Sequence, residues 1–258
     1  KAYIISNQSN IISVVNRYTL ELLGKIDSGL NKPRYGVVLN DKAYVTNQAD
    51  FSTDQDDFVA VINLNDLEVE ESISTNGVAE HIAESNGQIF IQNAAFGFGN
   101  RLSKFDPTTN TITQVLELDT QLNSLQVHKD IIYALDSSGV KVIDPDSFSV
   151  QTEITKFEME ASFSNLRVYN DELYYTLGTK AYSSSITADE LSTEAIFDYG
   201  IESDFGSFYG FGVNEDRIFV GDAGDFSTNG RILIYSNSGE LLFDDSVGSI
   251  GPNSFYFQ

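Results

Sequence analysis

Asp41-Lys42-Ala43-Tyr44-Val45 is a polar turn that opens straight into an alternating apolar strand, and the same opening recurs along the chain. It returns as Ala2-Tyr3-Ile4-Ile5, Asn86-Gly87-Gln88-Ile89-Phe90-Ile91, Asp130-Ile131-Ile132-Tyr133, Asp171-Glu172-Leu173-Tyr174-Tyr175 and Asp216-Arg217-Ile218-Phe219-Val220. The aromatic positions lie about 41 to 46 residues apart, the length of one four-stranded propeller blade. Each opening is followed by a second strand, as in Val59-Ala60-Val61-Ile62-Asn63 or Val140-Lys141-Val142-Ile143-Asp144. A turn of Asx, Pro or Gly residues comes next, such as Asp106-Pro107-Thr108-Thr109-Asn110, whose side chains and fixed φ favour chain reversal. A third strand (Ile112-Thr113-Gln114-Val115-Leu116) and a fourth that leads into the next repeat (Leu125-Gln126-Val127-His128) complete the unit.

The period of two dominates and no stretch sustains a helical period. Thr187-Ala188-Asp189-Glu190-Leu191 is expected as one helical turn inside a loop. A sheet of this kind cannot bury both faces alone, whereas stacking neighbours around a ring does so and leaves only short edges. The pattern predicts an all-β chain, a β-propeller of four-stranded blades with six repeats visible, and a single domain over residues 1–258. Gly251-Pro252-Asn253-Ser254-Phe255-Tyr256-Phe257 reads as an inner strand, and the first residues read as the next strand of a repeat, so the termini are expected to share a closing blade.

Composition narrows the function. Lys and Arg number 15 against 38 Asp and Glu, a net charge of −23, which repels phosphate backbones and anionic membrane surfaces. The absence of Cys excludes thiol catalysis, disulfides and thiolate metal sites. No apolar run approaches membrane-spanning length. The chain opens at once on a strand, which reads as a mature or truncated start.

Ala43-Tyr44-Val45-Thr46-Asn47 carries the tetrapeptide of the YVTN-repeat propellers, and Ser9-Asn10-Ile11-Ile12-Ser13-Val14-Val15 with Pro33-Arg34-Tyr35 resembles its flanks. Lys32-Pro33-Arg34-Tyr35, Asp222-Ala223-Gly224-Asp225-Phe226, Asn229-Gly230-Arg231-Ile232-Leu233-Ile234-Tyr235 and the terminal Gly251–Phe257 resemble a narrower group, the exported propeller lipoproteins of Bacteroidota. That resemblance implies a seventh, N-terminal blade missing here. It also implies export to the outer-membrane surface or periplasm, and a lipid anchor on residues outside this chain. Some members of the group sit over a TonB-dependent transporter and capture cobalamin or iron-siderophore ligands. The implied partners are therefore such a transporter, another membrane-complex subunit or a small molecule.

Three loops are long: Gln48–Phe58, Asn93–Asn100 and Asp222–Asn229. With the segment Tyr199–Phe211 they place Phe51, Phe96, Phe98, Phe205, Tyr209 and Phe226 at one end of the expected channel, and Arg34, Tyr35, Phe58, Glu80, His81 and Arg101 belong to the same face. Aromatic side chains beside Gly and Asp supply rigid contact area at small entropic cost. The competing reading is that these rings only pin their own loops. Asp54, Asp56 and Asp57 offer hard oxygen ligands for Ca²⁺ without the spacing of a known calcium loop, so a solvated loop is the simpler reading. Asp222 and Asp225 are either turn residues or loop ligands. Glu80 beside His81 is a conceivable acid–base pair, and Arg34 and Arg101 are rare positive charges that could meet a ligand anion or pair with nearby carboxylates. No nucleophile elbow, phosphate loop or metal-spaced His pair is present. The expectation is a non-catalytic binding module without cofactor. The alternatives are a scaffold subunit of an outer-membrane complex and, less favoured, a propeller hydrolase or lyase.

Overall fold

The structure, a computed structural model, describes residues 1–156, 163–200 and 206–257. The described residues form six antiparallel sheets, the blades of a six-bladed β-propeller. The first sheet has three strands, β1 (Ala2–Ser6), β2 (Ile11–Val15) and β3 (Leu22–Ile26). The second comprises β4 (Pro33–Leu39), β5 (Lys42–Asn47), β6 (Phe58–Asn63) and β7 (Glu68–Ser74), and the third β8 (Ile82–Ser85), β9 (Gln88–Ala95), β10 (Phe98–Asp106) and β11 (Thr111–Glu117). The fourth comprises β12 (Leu122–His128), β13 (Ile131–Asp136), β14 (Gly139–Asp144) and β15 (Ser149–Thr155). The fifth comprises β16 (Ser164–Tyr169), β17 (Glu172–Leu177), β18 (Lys180–Ser185) and β19 (Ala195–Asp198), and the sixth β20 (Gly210–Asn214), β21 (Arg217–Asp222), β22 (Arg231–Ser236) and β23 (Leu241–Ser246). The strand that leads into each repeat thus pairs with the repeat that follows it.

Two compact units divide the chain, Lys1–Ile132 with Ile143–Ser149, and Tyr133–Val142 with Val150–Gln258. In the first unit, alternation along a strand sends neighbouring residues to opposite faces. Ala43 and Val45 of β5 pack with Ile12, Val14 and Ile26 of the first sheet, while Tyr44 between them packs with Ile82, Ile89, Ile91 and Phe105 of the third. Both faces of the second sheet are therefore buried. In the second unit Tyr174, Ala181 and Phe197 pack with Phe208, Phe211, Ile218 and Val220, and the Phe197 and Tyr235 rings stack 3.8 Å apart.

Two local expectations are corrected. Thr187–Leu191 forms no helix. Glu190 makes a single parallel bridge to Thr155, because the Thr155 N–H and C=O are taken by Asp189 and Leu191. Gly251–Phe257 forms no β-ladder. It lies instead against β20 and β21, where glycines leave it room: a Cβ at Gly221 would stand 2.2 Å from the Pro252 carbonyl oxygen, and one at Gly212 would stand 2.9 Å from Phe255. The rings of Phe255 and Phe257 then pack on Phe219 at 5.6 and 4.9 Å. Among the described residues no helix is long and apolar enough to cross a membrane.

Candidate functional site

The best-developed site lies in the first unit, between the loop joining β5 to β6 and the hairpin joining β9 to β10. The YVTN tetrapeptide is its footing. The Thr46 hydroxyl donates to the Glu80 carbonyl at 2.7 Å and accepts from the Tyr35 N–H at 3.1 Å, and the Asn47 side chain accepts from the Asn31 N–H at 2.9 Å. These bonds bring β4 and the residues before β8 to one place. There Arg34 grips the Glu80 carboxylate with two hydrogen bonds, of 3.0 and 2.6 Å, and Gln48 Nε2 donates to the same carboxylate at 2.6 Å. A bidentate, largely buried pair of this kind fixes geometry as much as it stabilises.

The loop and the hairpin border an open cavity of about 340 Å³. Gln48, Asp50, Asp54, Asp57 and the rings of Phe51, Phe96 and Phe98 line it. The rings of Phe51 and Phe96 meet edge to face, 6.3 Å apart. Lys32 Nζ sits 4.1 Å over the Phe51 ring, and the Arg34 guanidinium lies 5.9 Å from that of Phe96. The three Phe are 55%, 72% and 74% exposed, so they do not pin their loops by burial. Phe96 also holds φ at 51°, with Gly97 at 89°, in the two-residue turn of the hairpin. A left-handed backbone costs a bulky residue roughly 1–2 kcal/mol, and a ring that stays 72% exposed offsets little of it.

The acidic residues of the loop separate by environment. Asp50 is an exposed turn residue whose carboxylate accepts from the Ser52 N–H at 2.9 Å, a bond that holds its pKa below the usual carboxylate range. Asp57 is 2% exposed. Burial pushes its pKa up to about 6, against the pull of the Ala79 N–H on Oδ2 at 2.9 Å, and the charges of Asp56 and Asp54 push the same way as burial. The three aspartates do not converge as calcium ligands. Among the described residues no three His, Cys, Asp or Glu side chains form a group able to hold a metal.

The other expected residues divide. The Glu80 carboxylate accepts from Arg34 and Gln48, while the His81 ring packs edge-on to Tyr35 at 4.9 Å and lies 3.5 Å from Gln126 Nε2. Phe58 begins β6 half-buried and packs on the core shared by the first and second sheets, not on the cavity. Arg101 is not a cavity residue; it donates to the Asn76 carbonyl at 2.9 Å. Phe205 lies outside the described residues. In the second unit Tyr209 and Phe226 pair edge to face at 4.9 Å, both partly exposed. Asp222 and Asp225 there are turn residues. Asp222 accepts from the Gly224 N–H at 2.8 Å, and Asp225 accepts from Ser227 and Thr228, which lowers its pKa to about 2. Sequence reading passed over Gln48 and Lys32, whose roles depend on partners distant in the chain.

Residues 1–228 match the model of a family described as a domain of unknown function, DUF5074. The chain belongs to that family. No curated protein matches this DUF5074 chain. Solved structures with the same fold include hydrazine synthase of Kuenenia stuttgartiensis, at TM-score 0.76 and 14% identity over 98% of this chain and 84% of that one. A quinonprotein alcohol dehydrogenase-like protein of Bacteroides thetaiotaomicron aligns at TM-score 0.69 and 16% identity, over 94% of this chain and 61% of that one. BamB of Moraxella catarrhalis aligns at 0.60 and 13%, over 97% and 72%. At such identities the likeness is one of fold, and propellers serve unrelated functions.

Proposed function

We propose that this DUF5074 chain is a non-catalytic binding module, and that the cavity beneath Phe51, Phe96 and Phe98 is where it holds a small ligand. The observation that carries the reading is the set of three large exposed rings around one cavity, one of them held at a strained turn. Exposed aromatics gathered on a rigid scaffold mark ligand or partner surfaces far more often than stray exposure does. The sheets supply that scaffold, and the Arg34–Glu80 pair is tied to the cavity wall through Gln48, which donates to Glu80. Glu80, the carboxylate the sequence sets beside His81, is engaged by Arg34 and Gln48 and does not line the cavity, which favours binding over catalysis. The resemblance to exported propeller lipoproteins extends the proposal to a role at the outer-membrane surface, where the bound molecule is passed to a membrane transporter.

The test uses Nile red, a neutral apolar dye whose emission rises in a dry pocket. Wild-type chain is expected to enhance its fluorescence saturably, and the Phe96→Ala/Phe98→Ala double variant to bind it at least tenfold more weakly. Both rings are exposed, so the fold survives their removal. Equal affinity in the two proteins refutes the site.

A further inference from the structure

The geometry points to a ligand class for this cavity: a primary organic ammonium, whose N–H groups donate to Gln48 and Asp57 while its apolar body lies against Phe51, Phe96 and Phe98. The inference rests on the cavity being the ligand site.

Two buried acceptors carry it. Gln48 is 3% exposed, and its amide orientation is dictated by Glu80: a carboxylate already held by Arg34 accepts the Nε2–H at 2.6 Å, so Oε1 is the remaining atom. Oε1 accepts no hydrogen bond from any described residue. Asp57, 2% exposed, gives Oδ2 to the Ala79 N–H, and its Oδ1 likewise accepts no hydrogen bond by geometry from the described residues, though the nearby Ala49 amide slightly favours the charged carboxylate. A buried acceptor left without a donor costs about 1–3 kcal/mol. Both residues line the same cavity, so a guest bearing donors recovers both costs at once.

Charge selects the donor's sign. Asp50, Asp54 and Asp57 line the cavity, and among the described lining residues there is no Lys or Arg; Lys32 and Arg34 lie outside the lining, against the rings of Phe51 and Phe96. The net charge of −23 draws cations toward the chain and repels anions. The rings suit a cation too, since Lys32 Nζ already rests 4.1 Å over Phe51, the contact a guest ammonium would make with Phe96 or Phe98. A bare metal ion is a poor alternative, because no metal-holding group of three ligands exists among the described residues.

Isothermal titration with 2-phenylethylammonium, phenylacetate and tetramethylammonium at neutral pH tests the assignment. The amine is expected to bind wild type. Phenylacetate, with the same ring and the opposite charge, is expected to give no heat, and tetramethylammonium, with no N–H, to bind at least tenfold more weakly. Asp57→Asn and Phe98→Ala should each weaken the amine at least tenfold, with folding of both verified by thermal melts and Asp57→Asn retaining Nile red binding. The inference is overturned if phenylacetate binds as tightly as the amine, if a folded Asp57→Asn binds the amine like wild type, or if the amine gives no heat. In that last case, loss of Nile red binding in Phe96→Ala/Phe98→Ala still upholds the cavity, whereas dye binding indifferent to the double substitution removes the cavity reading itself.

Discussion

Asp57→Asn should make the protein more stable at neutral pH, and only there. The Asp57 carboxyl titrates near 3.8 in an unfolded chain and at about 6 in the folded one, raised by burial first and by Asp56 and Asp54 after it. A raised carboxyl binds its proton more tightly in the folded state. Between those two values the folded chain holds more protons than the unfolded chain, so stability falls as pH rises. The loss is absent below 3.8 and complete above about 6. A shift of that size corresponds to roughly 3 kcal/mol. Asparagine cannot ionise, and its carbonyl still accepts the Ala79 N–H that Asp57 Oδ2 now takes at 2.9 Å. Urea unfolding of both proteins across the range from pH 4 to pH 7.5 measures the difference, which cancels the contribution of the other carboxylates. The two curves should meet near pH 4 and separate to roughly 3 kcal/mol at neutral pH, or about 8 °C in Tm for a chain of this size. Parallel curves, or an Asp57→Asn protein less stable than wild type at pH 7, would refute the assignment of a buried, destabilising carboxylate to the cavity wall.

Other consequences follow from the packing. Glu80→Gln leaves the Arg34 guanidinium and Gln48 Nε2 competing for one carbonyl oxygen. With side chains only 20% and 12% exposed, the change should cost about 2–3 kcal/mol in denaturant unfolding, below the 3–5 kcal/mol of a fully buried pair. Gly221→Ala places a methyl 2.2 Å from the Pro252 carbonyl oxygen and should lift the C-terminal segment off β20 and β21. Amide exchange over residues 251–257 should then accelerate, with a stability loss of about 1–3 kcal/mol, while exchange in β5 and β6 stays unchanged.

Most of the fold was legible without coordinates, because its determinants are local. An alternating run such as Lys42–Asn47 specifies a strand, an Asx or Gly turn specifies a reversal, and their recurrence specifies blades. The misreadings came where local pattern is silent. Phe58 and Phe51 sit in the same loop region and look alike in sequence, yet Phe58 enters a core and Phe51 a cavity wall, since β6 begins at Phe58 and its facing is set by pairing with Asn47 and Ser74. Gly251–Phe257 has the composition of a strand, but it packs by shape into a track of glycines that lie 30 or more residues earlier in the chain for Gly210, Gly212 and Gly221.

Charge, period and turn chemistry are properties of neighbouring residues, so an acidic, all-β repeat chain with aromatic loops and no Cys is written in the order of its residues. Which of those residues meet depends on the folded chain. Arg34 reaches Glu80 across 46 positions, Gln48 reaches the same carboxylate across 32, and Phe96 approaches Phe51 from a different blade. The same closure of blades buries Asp57 in the shared cavity wall and leaves it and Gln48 each with an acceptor unanswered, a property no residue carries until its surroundings are assembled.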